Sequence, residues 1–136
     1  FLTYNRNKRS IALDVKTSEG KEVILKLLST ADVFIENFRP GAMDKLGFGH
    51  KELETINPRL IYCSAKGFLN GPYQHRTALD EVAQMMGGLA YMTGPPGQPL
   101  RAGSSVIDII SPLEILTDEY PFFSLQEISI IASMNI

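Results

Sequence analysis

Asp108 stands in the string Val106-Ile107-Asp108-Ile109-Ile110. An ionised carboxylate among aliphatic neighbours is costly unless it is paired or hydrogen-bonded. Carboxylates perturbed in this way are enriched at active sites. A helix N-cap or a solvent-facing strand position would account for the same residue. Asp80 opens the helical pattern DEVAQMM, where an N-cap or first-turn acid is expected. Arg39, Lys45 and Lys66 fall near predicted strand ends and are available to phosphate, although each alone reads as a solvated surface charge. Asn37-Phe38 directly follows the short apolar run DVFIE, placing an amide and a ring where a buried strand ends. Neither nucleotide fingerprint, G-x-x-x-x-G-K-[ST] or G-x-G-x-x-G, is present. Nor is the G-x-S-x-G elbow of acyl-transferring serine enzymes. The single cysteine, Cys63 in LIYCSA, reads as a buried, inert thiol. His50 and His75 are far apart and have no ligand spacing, so no metal site is expected.

These residues need elements to hold them. RSIALDV (9–15) puts Ile11, Leu13 and Val15 on one side and predicts a strand. SEGKEVILKLLSTA (18–31) has helical spacing, with Glu19 in the first turn. DVFIE (32–36) predicts a buried strand, followed by Arg39-Pro40-Gly41 and a short basic helical turn. KELETI (51–56) predicts a helix broken by Asn57-Pro58, and RLIYCSA (59–65) another buried strand. DEVAQMMGGLA (80–90) predicts one helix weakened by Gly87-Gly88; TGPPGQP (93–99) is a loop; SSVIDII (104–110) predicts an extended or buried segment. The alternation points to an α/β layered sheet with helices on its faces. In such sheets ligands gather at the carboxyl ends of parallel strands, and both Asn37-Phe38 and Gly67-Phe68 lie at such ends. Residues 111–136 change character: they lack Gly, Arg and Lys, and predict a helix, a break at Pro121 and a strand-like end.

Composition narrows the function. The 136 residues suit one domain, with apolar and charged fractions of 44% and 21%. A formal charge of −2 gives no reason to expect nucleic acid as a partner. No apolar run approaches the ~20 residues that span a bilayer. The start, FLTYNRNKRS, is no signal peptide, and one cysteine fits a reducing compartment, so a cytoplasmic location is expected. The chain has no initiator Met and is expected to begin mid-protein.

Several ordered blocks resemble the class III CoA-transferase family. They are NRNKRSIALDVKTSEGKEVILKLLSTADVFIENFRPGAMDKLGFG, INPRLIYCSAKGF, GPY, DEVAQMMGGLAYMTG and PLRAGSSVIDI, together covering about residues 1–109. The resemblance implies that residues 1–110 are part of a large Rossmann-like CoA-binding domain and that 111–136 are a divergent tail. It also implies a longer protein whose two subunits form an interlocked homodimer. The implied reaction moves CoA between carboxylic acids through an aspartyl-acyl anhydride and an aspartyl-CoA thioester. The implied partners are an acyl-CoA and a carboxylic acid acceptor, with CoA as a substrate thioester and no permanently bound cofactor.

Residue by residue, the family's nucleophile matches Asp108, whose apolar flanks would limit water. Its CoA contacts match Leu13, Val15, Asn37, Phe38 and Ala42. Lys45 stands for a frequent arginine that faces phosphate, as a point charge without bidentate geometry. Thr77 stands where some members place a lysine, and Leu79 where several place an aromatic. The same fold serves 2-methylacyl-CoA racemases, which need a histidine at the Leu79 position; His75 is displaced from it by several residues. A non-catalytic CoA-binding remnant is the other alternative. Because the family's later Gly-rich loop has no counterpart here, the chain is expected to lack full catalytic ability.

Overall fold

The computed structural model describes residues 6–110 and 130–133. Helix α1 is Ser18–Leu28, capped by the Thr17 hydroxyl, which accepts from the amide of Gly20 at 3.1 Å. Strand β1 (Val33–Glu36) follows, then two short helices, α2 (Ala42–Leu46) and α3 (His50–Ile56), and strand β2 (Ile61–Ser64). Helices α4 (Asp80–Met86) and α5 (Leu89–Thr93) come next. Residues 106–110 are helical and are called α6; strand β3 (Ile130–Ser133) closes the series.

Among the described residues the sheet has three strands in the order β2-β1-β3, all parallel. Val33 pairs with Ile61 and with Ile130, Glu36 with Ser64 and with Ser133. Side chains alternate across a strand, and this splits the core. On one face Phe34 joins Leu28, Met43, Phe48 and Leu53, so α1, α2 and α3 share one apolar layer with the sheet. On the other, Val33 and Cys63 are buried together, with Ile35 and Ile61 against them. Phe34 meets Tyr62 edge to face, with ring centroids 5.3 Å apart. Asn57 ties the layers: its side-chain amide donates to the carbonyls of Leu28 and Ala31 at 3.0 and 2.8 Å, satisfying groups left over at the end of α1.

Three expectations are corrected. Residues 9–15 form no strand, and Ile11 is 60% exposed. A period-2 pattern needs a partner edge, and the edge of β1 opposite β2 is taken by β3. The chain instead turns at Asp14, whose carboxylate accepts the amide of Lys16 and whose carbonyl accepts that of Thr17. The helix expected over 80–90 is two helices, because Gly88 adopts φ +85°, a left-handed conformation that breaks the ladder at little cost only for glycine. The segment 104–110 is helical from 106, not extended. In the tail, β3 confirms the strand-like end, whereas the helix and the break at Pro121 lie outside the described residues.

Candidate functional site

Two polar constructions stand on this scaffold. The first is at the carboxyl ends of β1 and β2. Glu36 is the last residue of β1 and is 1% exposed. Burying its carboxylate requires donors, and three groups supply them. Lys66 Nζ lies 2.8 Å from both oxygens, the Ser64 hydroxyl donates to Oε1, and the Phe38 amide donates to Oε2 at 2.8 Å. Lys66 also donates to the Phe38 carbonyl. The backbone of Phe38 is thus held at both its N–H and its C=O, which fixes the Asn37-Phe38 turn.

Beside this network opens a cleft of about 300 Å³, lined by Glu36, Arg39, Asp44, His50, Tyr62 and Lys66 among others. His50 packs edge-on against Tyr62 at 5.8 Å. Burial, followed by the carboxylates of Glu36, Asp44 and Glu52, pushes the Tyr62 phenol far up, so it stays protonated and can donate. The cleft therefore offers donors and charges of both signs at the strand ends, where open α/β sheets bind their ligands.

The second construction holds Asp108. Loop 67–79 returns from β2 to α4, and Gly67 sits so close to Ala78 that a Cβ on it would fall 2.1 Å from the Ala78 Cβ. This approach tethers the start of α4 to the carboxyl end of β2. Asp80, the first residue of α4, is 4% exposed. Its Oδ1 accepts the amides of Ile107 and Asp108 at 2.8 and 3.4 Å; its Oδ2 accepts from Gln84 at 2.6 Å and Arg101 at 3.3 Å. Burial pushes the Asp80 carboxyl up, but the bonds from Ile107, Gln84, Asp108 and Arg101 outweigh it and hold the group below its ordinary value. Asp108 moves the other way: partial desolvation, then the charge of Asp80, raise it, Arg101 opposes, and Glu81 adds to the rise. Two carboxylates whose surroundings drive them apart in this way are a recurrent feature of catalytic pairs.

The model of CoA-transferase family III matches residues 1–116. The chain belongs to CoA-transferase family III. Formyl-CoA:oxalate CoA-transferase of Streptomyces avermitilis is 47% identical over 109 residues, covering 79% of this chain and 27% of that protein. Succinyl-CoA:glutarate CoA-transferase of Mus musculus is 40% identical over 115 residues, covering 83% and 26%. The chain thus spans about a quarter of the length of these curated relatives. Among solved structures, a CAIB/BAIF family protein from Brucella suis superposes with a TM-score of 0.70 at 38% identity, over 94% of this chain and 35% of that one.

For this CoA-transferase family III chain, the residues expected at the site fall in several places. Val15 and Phe38 pack against the same apolar cluster, and Leu13 is half-buried just before them. Asn37 is exposed at the turn, Ala42 opens α2, and Lys45 is exposed on it. Thr77 is exposed in the loop before α4. Asp108 is exposed, and Ile109 and Ile110 beside it are each 41% exposed. The expected ring of aliphatic neighbours is therefore corrected: on a helix successive side chains point in different directions, so flanking residues do not enclose the one between them.

Sequence reasoning passed over Glu36, Gln84 and Arg101, and read Lys66 as a solvated charge. One signal was available for the pair. With Glu36 opposite Ser64 in the register, residue 66 follows just past the same strand end. For Gln84 the i, i+4 spacing from Asp80 within DEVAQMM is a local signal; for Arg101 nothing local points to Asp80, since it lies 21 residues away. Among the described residues no group of His, Cys, Asp and Glu could hold a metal ion, and no helix is long and apolar enough to cross a membrane.

Proposed function

We propose that this chain carries the CoA crevice and the nucleophile of an acyl-CoA:carboxylate CoA-transferase, with Asp108 as the nucleophile. The observation that carries the reading is the paired environment of the two acids. Asp108 is exposed, so a thioester can reach it, and Asp80 and partial desolvation keep its carboxylate more basic than usual. In its ionised form a more basic carboxylate is a stronger nucleophile. A covalent intermediate divides one difficult exchange into easier steps.

The steps balance as follows. An Asp108 carboxylate oxygen attacks the thioester carbonyl of the donor, the C–S bond breaks, and CoA leaves as thiolate from a mixed anhydride. The thiolate then attacks the Asp108 carbonyl carbon, releases the donor acid as carboxylate, and leaves an aspartyl-CoA thioester. The acceptor carboxylate attacks that thioester and again expels CoA thiolate. The thiolate finally attacks the acceptor carbonyl, giving the new acyl-CoA and restoring the Asp108 carboxylate.

On this reading the Asn37 amide and the Phe38 ring, on a turn held by Glu36 and Lys66, receive adenine and the pantetheine arm. On the same reading Leu13, Val15 and Ala42 contribute further CoA contacts, Lys45 offers its charge to phosphate, and Thr77 takes the position that a CoA-contacting lysine holds in some relatives. Residues 1–110 then belong to a Rossmann-like CoA-binding domain of a longer, interlocked homodimer, with 111–136 a divergent tail; the resemblance of the sequence blocks supports this.

The test is incubation of the protein with an acyl-CoA and hydroxylamine, then peptide mass spectrometry. Hydroxylamine attacks the aspartyl-CoA thioester to give a hydroxamate and free CoA. A hydroxamate at Asp108 that disappears in Asp108→Asn is expected; a hydroxamate elsewhere, or none, overturns the nucleophile. In a separate arm, CoA at 100 times its Kd should stabilise the fold by about 2.7 kcal/mol. No rise in Tm at millimolar CoA would overturn the crevice.

A further inference from the structure

We infer that Asp80 is the positioning residue for Asp108: from α4 it serves as the amino-terminal cap of α6, fixing the backbone on which the nucleophile stands. The inference rests on the reading of Asp108 given above. A helix begins with amide groups that lack partners, and the residue at the N-cap ordinarily supplies its own side chain to the second or third of them. In α6 the local candidate is Ser105, whose carbonyl accepts the amide of Ile109 at 3.1 Å. Its hydroxyl is engaged elsewhere, accepting from Arg101 Nη2 at 3.1 Å. The amides of Ile107 and Asp108 go to Asp80 Oδ1 instead, at 2.8 and 3.4 Å. The cap is therefore supplied across 27 residues of sequence.

The remaining contacts show why the cap is an acid. Asp80 Oδ2 faces two more donors, Gln84 Nε2 at 2.6 Å and Arg101 at 3.3 Å. Every group around the carboxylate donates. An asparagine in its place would turn an NH₂ toward donors on one side or the other, so only a carboxylate satisfies all of them. Gln84, 0% exposed, extends the clamp: its Nε2 also donates to the Ser104 carbonyl at 3.2 Å, and its Oε1 accepts the amide of Ala102 at 2.8 Å. The segment leading into α6 is thus stitched to α4 at several successive points. The charged groups that bear on Asp108 are Asp80 and Glu81 of α4 and Arg101 of the intervening loop. The first two favour its protonated form and the third its ionised form.

The experiment is NMR titration of the Asp108 side-chain carboxyl carbon, with the amide signals of Ile107 and Asp108 followed in parallel, in wild type, Asp80→Asn and Arg101→Gln. Asp80→Asn should move the Asp108 midpoint to lower pH and shift both amide signals. Arg101→Gln should move the midpoint to higher pH. A general loosening of the fold would move both variants the same way, so opposite signs separate positioning from damage. The rate of hydroxylamine-trapped adduct should fall by roughly 10–100-fold in Asp80→Asn, as expected when a reacting group loses its placement. An unmoved midpoint and unmoved amide signals in Asp80→Asn overturn the inference, whether or not wild type forms an adduct. Absence of the adduct in wild type, with both midpoints displaced as stated, removes the nucleophile and leaves Asp80 as the cap.

Discussion

Glu36 and Lys66 pose the sharpest problem at the scale of single residues, because the fold buries a charge beneath the cleft at its strand ends. The pair has side-chain exposures of 2% and 23%. Removing one member of a buried ion pair leaves the other charged and unsolvated, which costs about 3–5 kcal/mol; replacing both with apolar groups of similar volume is often neutral. Lys66→Met leaves Glu36 with the Ser64 hydroxyl and the Phe38 amide alone. Since the lysine is partly exposed, the expected loss is at the lower end, about 3 kcal/mol by urea denaturation. Adding Glu36→Leu should recover most of it. The double variant is then nearly as stable as wild type but holds Phe38 by neither end, so its affinity for CoA should fall further than its stability. A double variant that binds CoA as wild type does would show that the turn keeps its shape without the pair.

At the scale of elements, α4, the loop through Arg101 and α6 converge on Asp80. The folded-state carboxyl lies below its ordinary value of 3.8, so its ionisation stabilises the fold at pH above that value. The contribution is lost as the pH falls through the folded pKa, where the carboxylate must take up a proton. Asp108, held above its ordinary value, has the reverse slope: it disfavours the fold as the pH rises through its folded pKa. An Asp108→Asn background removes that opposing slope, and because Glu19, also held below its ordinary value, is common to both proteins, the difference made by Asp80→Asn reports Asp80. Asp80→Asn added there should lower stability at neutral pH and flatten the decline at acid pH, measured by denaturant melts across the carboxylate range. Equal acid slopes in the two proteins would mean that the carboxylate draws nothing from its donors. Much of this level was legible in sequence: α1, β1, α3 and β2 follow from the spacing of Val23, Ile24, Leu27 and Leu28 and from the stretches DVFIE, KELETI and RLIYCSA. Asp80 was legible only as an acid at a helix start. Apart from Gln84, four residues on, its partners are a side chain and backbone amides 21 to 28 residues on, and no periodicity encodes a cap supplied from another helix. The strand expected at 9–15 failed for a related reason: alternation marks a face but cannot name the edge that will pair with it.

The whole molecule is organised around β1, which receives β2 on one edge and β3 on the other. The two neighbours have different standing. β2 lies within the residues matched by the family, whereas β3, at Ile130–Ser133, lies beyond the match that ends at residue 116. Its register places Ile131 opposite Phe34, the ring that joins the sheet to the layer of Leu28, Met43, Phe48 and Leu53. Two strands alone make a marginal sheet, and three with a covered face are needed for independent stability. An open edge on a buried, apolar strand also invites pairing between chains. The segment outside the family match thus supplies a third strand to the sheet that presents Asn37-Phe38 at its end. Replacing residues 130–133 with Gly-Ser-Gly-Ser should remove the apolar, β-forming side chains of that strand and leave the edge of β1 unpaired. Hydrogen exchange read by mass spectrometry should then show faster exchange in peptides covering Val33–Glu36, with less change in α3, whose Leu53 is anchored by the helical layer. The variant should also associate at lower concentration than wild type, by light scattering. Unchanged protection over Val33–Glu36 would mean that β1 is held by β2 and the helices alone, and that the family-matched residues carry the sheet without help from the tail.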